Sequence, residues 1–185
     1  RQMCIRDRFL FMLAIYAVPV NIALFVDETG LGGSRESGMA MSCLSAAAIL
    51  AGLVGVRARE RFGRYFAEVM IGLMIAGFVM MLNEPSLIGL FGALLLIGLG
   101  SGSLLPYLIY SATSSVDSKN AFSVMGIIAT AASLGQFGTP LVWDSIALAL
   151  GDTSTHFVFT IVTVSCSAAL LIMLCAQWLD RQRST

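Results

Sequence analysis

The sequence predicts an all-α membrane protein of six transmembrane helices, and three observations predict it. Of 185 residues, 57% are hydrophobic and only 12% are charged, which is more apolar surface than a water-soluble domain of this size can bury. The charges are bunched, leaving uncharged runs at 9–26, 37–56, 69–83, 85–116, 120–143 and 153–179. At a rise of about 1.5 Å per residue, about 20 helical residues cross a hydrocarbon core of roughly 30 Å. Lipid satisfies no backbone polar group, so a spanning segment is a helix or part of a closed barrel. The runs lack the strict alternation of barrel strands, which leaves helices near 9–26, 37–56, 66–83, 86–112, 121–143 and 153–179.

The first helix carries Tyr16, Pro19 and Asn21. Proline frees a backbone carbonyl that neighbours or water must re-satisfy, so this helix faces protein or a wet cavity. The second, with SCLSAAAILAG, has small side chains that let helix backbones approach closely. The third reaches spanning length if Tyr65 to Glu68 form its interfacial end, with Glu68 turned toward water or headgroups. Its core, VMIGLMIAGFVMML, is supporting or lipid-facing, and Asn83, Glu84, Pro85 and Ser86 make a tight turn into the fourth.

The fourth helix contains GLGSGSLLPYLIY. GLGSGS has serine where the last glycine of GxGxxG is required and lies in an apolar helix, so it cradles no phosphate. It reads as a closely packed segment with a kink at Pro106 and a wetter portion at Ser101, Ser103, Tyr107 and Tyr110. The fifth has Ala131 and Gly135 at small-xxx-small spacing, then Gln136, Gly138 and Pro140. Gln136 is expected as a buried amide that needs a partner at membrane depth. The sixth is mostly apolar and ends in a basic tail.

Cys4, Cys43, Cys166 and Cys175 have no metal-ligand spacing, and the last three read as packing residues. The single histidine, His156, reads as headgroup-facing. No metal, cofactor or catalytic constellation is expected, so the chain is not read as an enzyme. No Asp, Glu, Lys or Arg lies deep within a helix, so no proton or ion relay is expected here. Within the octet RQMCIRDR the string MCIRDR looks like the translation of a sequencing adaptor, and residues 1–8 are read as a non-native leader outside the fold.

Arg57, Arg59, Arg61, Arg64, Lys119, Arg181 and Arg183 fall on one side of the predicted membrane, against Arg35 alone on the other. That positive-inside bias puts both termini in the cytoplasm and commits the arginines to orientation, not nucleic acid. The helices also form two triplets of one design: a proline-containing helix with polar residues, a small-rich helix, then an apolar one. Such repetition is expected of transporters built from inverted three-helix units.

With these residues in view, the chain resembles the C-terminal six-helix half of a major facilitator superfamily transporter. VRARERFGRYF is similar to the family's cytoplasmic loop motif G-x-x-x-D-R-x-G-R-R, with Glu60, Arg61, Gly63 and Arg64 matching its acid, first arginine, glycine and next basic position. Glu60 replaces the aspartate, Val56 the leading glycine and Tyr65 the last arginine. GLGSGSLLPYLIY resembles the glycine-rich fourth helix of a half and SLGQFGTPL the fifth, whereas the antiporter signature G-x-x-x-G-P is only approached.

The resemblance implies alternating access by rocking of two six-helix bundles, with the first, second, fourth and fifth helices lining the cavity. The expected cavity wall is Tyr16, Asn21, Ser103, Tyr107 and Gln136; the expected cytoplasmic gate is Glu60, Arg61, Gly63 and Arg64; the expected hinges are Pro19, Gly102, Pro106, Gly138 and Pro140. The implied partners are the lipid bilayer, a small uncharged or lipophilic solute, and a missing N-terminal six-helix half, in a bacterial inner membrane. The alternatives are a non-transporting six-helix scaffold or assembly subunit, or a half-size transporter acting as a homodimer.

Overall fold

A computed structural model describes the backbone of residues 5–83, 86–114 and 116–183, and their side chains except at 5–12, 64, 112, 118–121, 176, 179–181 and 183. Among the described residues the chain is all-helical: α1 Ile5–Glu28, α2 Ser34–Phe62, α3 Phe66–Asn83, α4 Leu87–Thr113, α5 Ser118–Ala149 and α6 Thr155–Arg183. Five of these, α2 to α6, contain segments long and apolar enough to cross a membrane. Residues 1–4 of the expected leader, and Glu84 and Pro85 of the expected turn, lie outside the described residues; residues 5–8 begin α1.

Helices run past the uncharged stretches. α2 continues through Arg57, Arg59, Glu60 and Arg61, and α5 continues through Asp144, because these charges are exposed and need no break in the backbone ladder. Pro19, Pro106 and Pro140 all sit inside unbroken helices. Each removes one backbone donor only, which neighbouring helices offset.

The α2 terminus shows why its last connection is short. Gly63 takes φ +53°, a conformation that excludes most side chains, and a 3-10 turn over Gly63–Tyr65 leads directly into α3. At the other end, the Glu36 carboxylate accepts from Gly33 N–H (2.8 Å), and Ser86 Oγ accepts from Gly89 N–H (3.0 Å) to cap α4.

α4 packs along α2 and α3, while α1 packs along α5 and α6. α3 meets α6, and lesser contacts join α1 to α2, α4 to α5, α2 to α3 and α5 to α6. Exchanging α1 with α4, α2 with α5 and α3 with α6 pairs these contacts with one another and returns α3–α6 to itself, although α4 packs on α2 and α3 far more extensively than α1 does on α5 and α6.

Small residues make the α2–α4 approach possible. A side chain at Gly98 would strike Ala47 Cβ and the Leu44 carbonyl oxygen, and one at Gly102 would strike the Ala48 backbone. Across the bundle, Phe25, Phe78 and Phe159 from α1, α3 and α6 meet at centroid separations of 5.4 and 6.1 Å. Burial is uneven: half of the apolar window of α3 and of α4 is buried, against 22% for α2 and 11% for α5.

Candidate functional site

The expected cavity residues take different surroundings. Asn21 is buried on α1, and its Nδ2 donates to the Ala17 carbonyl on the same helix (3.1 Å). Tyr16 is half-buried one turn earlier. Ser103 is buried between α4 and α2, where its hydroxyl donates to the Ala51 carbonyl (3.1 Å). Gln136, expected as a buried amide, is exposed on α5. The reason is that α1 takes the Gly135 and Thr139 side of α5, and the adjoining face at Ser133, Gln136 and Phe137 is left exposed among the described residues. No hydrogen bond or ring contact joins the five residues to one another among the described residues. A shallow depression at the start of α2, lined in part by Arg35, Met39, Ser42, Cys43 and Phe91, includes none of them.

Tyr107 belongs to a different cluster. Its ring lies 5.2 Å from that of Phe66, which is buried at the start of α3, and the Arg59 guanidinium carbon sits 5.4 Å from its centroid. The same guanidinium lies 4.5 Å over the ring of Tyr110. Arg59 is thus held by two aromatic faces, at the end of the bundle where Glu60, Arg61 and Gly63 are exposed. Sequence reading assigned Arg59 to topology; the spacing of Tyr107 and Tyr110, three apart on one helical face, was the available signal. Of the expected gate, the Arg64 side chain lies outside the described residues. Among the expected hinges, Gly102 is pressed on α2 and Gly138 stands open to space.

Glu68 departs from expectation. Instead of turning to water or headgroups it is buried, 7% exposed, and accepts a hydrogen bond from the Gln177 amide of α6. The other oxygens of this pair, Glu68 Oε2 and Gln177 Oε1, are buried and meet no donor among the described residues. Burial follows from α3 lying between α4 and α6, so that its first turn has protein on both sides. An amide and an acid at one end of two different apolar helices was the only hint in the sequence.

On the side opposite the arginines, Glu28 at the end of α1 accepts from the Thr155 backbone N–H (2.8 Å) and hydroxyl (2.5 Å), tying α1 to the start of α6. Asp152 lies just outside α6; the Ser154 backbone N–H, then its hydroxyl and the charge of His156, hold its carboxyl below the usual carboxylate value. His156 is exposed, with Nε2 3.3 Å from the Leu82 carbonyl oxygen. Of the cysteines read as packing residues, Cys166 is buried, Cys43 half-buried and Cys175 exposed. No group of three or more His, Cys, Asp or Glu able to hold a metal ion occurs among the described residues.

No protein-family model matches the chain, and no curated protein matches it.

Proposed function

We propose that this chain is one six-helix half of a secondary transporter, of the major facilitator type its sequence resembles, moving a small lipophilic solute by alternating access. The observation that carries the reading is the interchange of the two helix triplets: each contact of α1, α2 and α3, mostly with helices of the other triplet, has a counterpart when the triplets are exchanged, with α3–α6 as its own. Such an interchange supports two structural repeats, the device by which transporters build two access states around one site. The five apolar helices agree with residence in a membrane, and the arginine-rich end is read as cytoplasmic, as in a bacterial inner membrane.

The exposed face of α5 supports a second unit. It presents Ile127, Leu134, Phe137 and Leu141 together with the polar Thr130, Ser133 and Gln136. An amide at membrane depth requires a protein partner or a watered cavity, and a second six-helix bundle supplies both. In this reading Gln136 contacts solute, Tyr16 and Asn21 belong to the same wall, and Ser103 and Gly102 set the α2–α4 spacing behind it.

Vesicles from cells carrying the native locus, energised and offered a panel of lipophilic fluorescent solutes, test the proposal. At least one solute is expected to accumulate above the level in vesicles from a strain lacking the locus, with Gln136→Ala reducing that difference. Equal accumulation for every solute would leave a non-transporting membrane scaffold as the reading.

A further inference from the structure

We propose that Tyr107 and Tyr110 form a binding box for organic cations, of guanidinium or quaternary ammonium type, which Arg59 occupies as an internal stand-in. The proposal rests on the transporter reading for its physiological meaning only; the box is a cluster separate from the Gln136 wall.

The box is built before any ligand enters. Phe66, buried at the start of α3, supports the Tyr107 ring at 5.2 Å. Tyr110 follows three residues later, so both rings project from one face of α4. Both serve one positive charge: the guanidinium carbon of Arg59 is 5.4 Å from the first centroid and 4.5 Å from the second. Ring faces carry negative potential and attract cations within about 6 Å. The rings also lie in the last two turns of α4, whose carbonyl end adds negative potential.

Three features mark the occupant as displaceable. Arg59 is exposed, so water competes for it; Tyr110 is 54% exposed, so the box opens to solvent; and Arg59 forms no ion pair among the described residues. Cation–ring attraction at an exposed site is worth about 0.5–1 kcal/mol, and Arg59 has a long, mobile stem on which to swing away. The described lining holds no carboxylate that would favour a small, strongly hydrated ion. It suits a weakly hydrated cation with an apolar body, which gains ring contact without losing much water.

Calorimetry on the full chain in lipid nanodiscs, with benzylguanidinium as probe and the neutral isostere benzylurea as control, tests the inference. Arg59→Met removes the stand-in but keeps its apolar stem, and is expected to tighten benzylguanidinium binding by about tenfold, the sum of two exposed cation–ring contacts. In that background Tyr110→Leu and Tyr107→Leu each remove the gain, Tyr110→Phe and Tyr107→Phe keep it, and benzylurea responds to none of them. Tyr110→Leu leaves the Tyr107 ring packed on Phe66, so its loss of the gain reports the box and not the fold. Unchanged or weaker benzylguanidinium binding in Arg59→Met, or equal binding of benzylurea, overturns the inference. The expected pattern in a chain that transports nothing supports the box and overturns the transporter reading; transport without the pattern overturns the box alone.

Discussion

The indole Nε1 of Trp143 on α5 donates a hydrogen bond to the carbonyl oxygen of Leu13 on α1, across 3.2 Å in a fully buried setting. The Thr139 hydroxyl, one turn earlier, reaches the same oxygen at 3.4 Å while bonding the Gly135 carbonyl at 2.7 Å. The α2–α4 interface, its counterpart under the triplet exchange, has Ser103 donating to the Ala51 carbonyl. Each interface is therefore pinned by a side-chain donor on a backbone acceptor. Trp143→Phe removes the donor and part of the ring volume; thermal unfolding in detergent is expected to show a loss of about 1–3 kcal/mol, the hydrogen bond supplying about 1 kcal/mol and the cavity the rest.

Gly102→Ala is expected to cost more than its size suggests. The added carbon meets the Ala48 backbone, which cannot rotate away, so α2 and α4 must separate. Overpacking of this kind costs about 1–3 kcal/mol. Gly72→Ala, where open space awaits the carbon, is the control and is expected to unfold at the wild-type temperature or above it. A Gly102→Ala protein that unfolds at or above the wild-type temperature, as Gly72→Ala does, would show that helix propensity, not contact with α2, governs Gly102.

The Glu68–Gln177 pair invites a double-mutant cycle. Gln177→Leu removes the donor to a buried carboxylate, and a single loss of this kind costs about 1–3 kcal/mol or more. The double variant Glu68→Leu, Gln177→Leu removes two orphaned buried acceptors along with the bond and is expected to be more stable than Gln177→Leu alone. Denaturant titration of the four proteins measures the coupling; a double variant whose loss equals the sum of the two single losses would show that the two side chains do not interact.

Asp152 supplies a pH-dependent contribution outside the membrane. Its folded-state value is depressed, first by the Ser154 backbone N–H, then by the Ser154 hydroxyl and the charge of His156. A depressed carboxyl contributes stability that is fully present above the unfolded value, about 3.9 for aspartate, and is lost as pH falls through the folded one. The melting temperature of the wild type is therefore expected to drop more steeply than that of Asp152→Asn between pH 5 and more acid conditions. Parallel curves would remove Asp152 as a contributor.

What the sequence conveys and what it withholds have physical causes. Long charge-free runs mark hydrocarbon depth, so they locate apolar helices, but a helix does not end where charge begins. Arg57 to Phe62 and Asp144 to Ala149 stay helical because the charged side chains among them, Arg57, Arg59, Glu60, Arg61 and Asp144, are exposed. Glycine and alanine in α2 and α4 announce close packing as a property of each helix, yet that Gly102 rests on Ala48 is a fact about two helices. Which face of a helix is covered depends on neighbours far along the chain. Gln136 and Glu68 were read in opposite senses to their burial for that reason: the first lies on the uncovered side of α5, and the second meets Gln177, distant in sequence. Arg59 was legible as a charge and not as the occupant of two rings on α4.

Alternating access itself is tested by cysteine labelling at position 136. With Cys4, Cys43, Cys166 and Cys175 replaced by serine, Gln136→Cys stands on the exposed face of α5 and is the only thiol. A membrane-impermeant maleimide is applied to energised membranes from one side and then, in inverted vesicles, from the other. Labelling from both sides is the result expected of a cavity that opens to each face in turn; labelling from neither side, or from one side only, would contradict it.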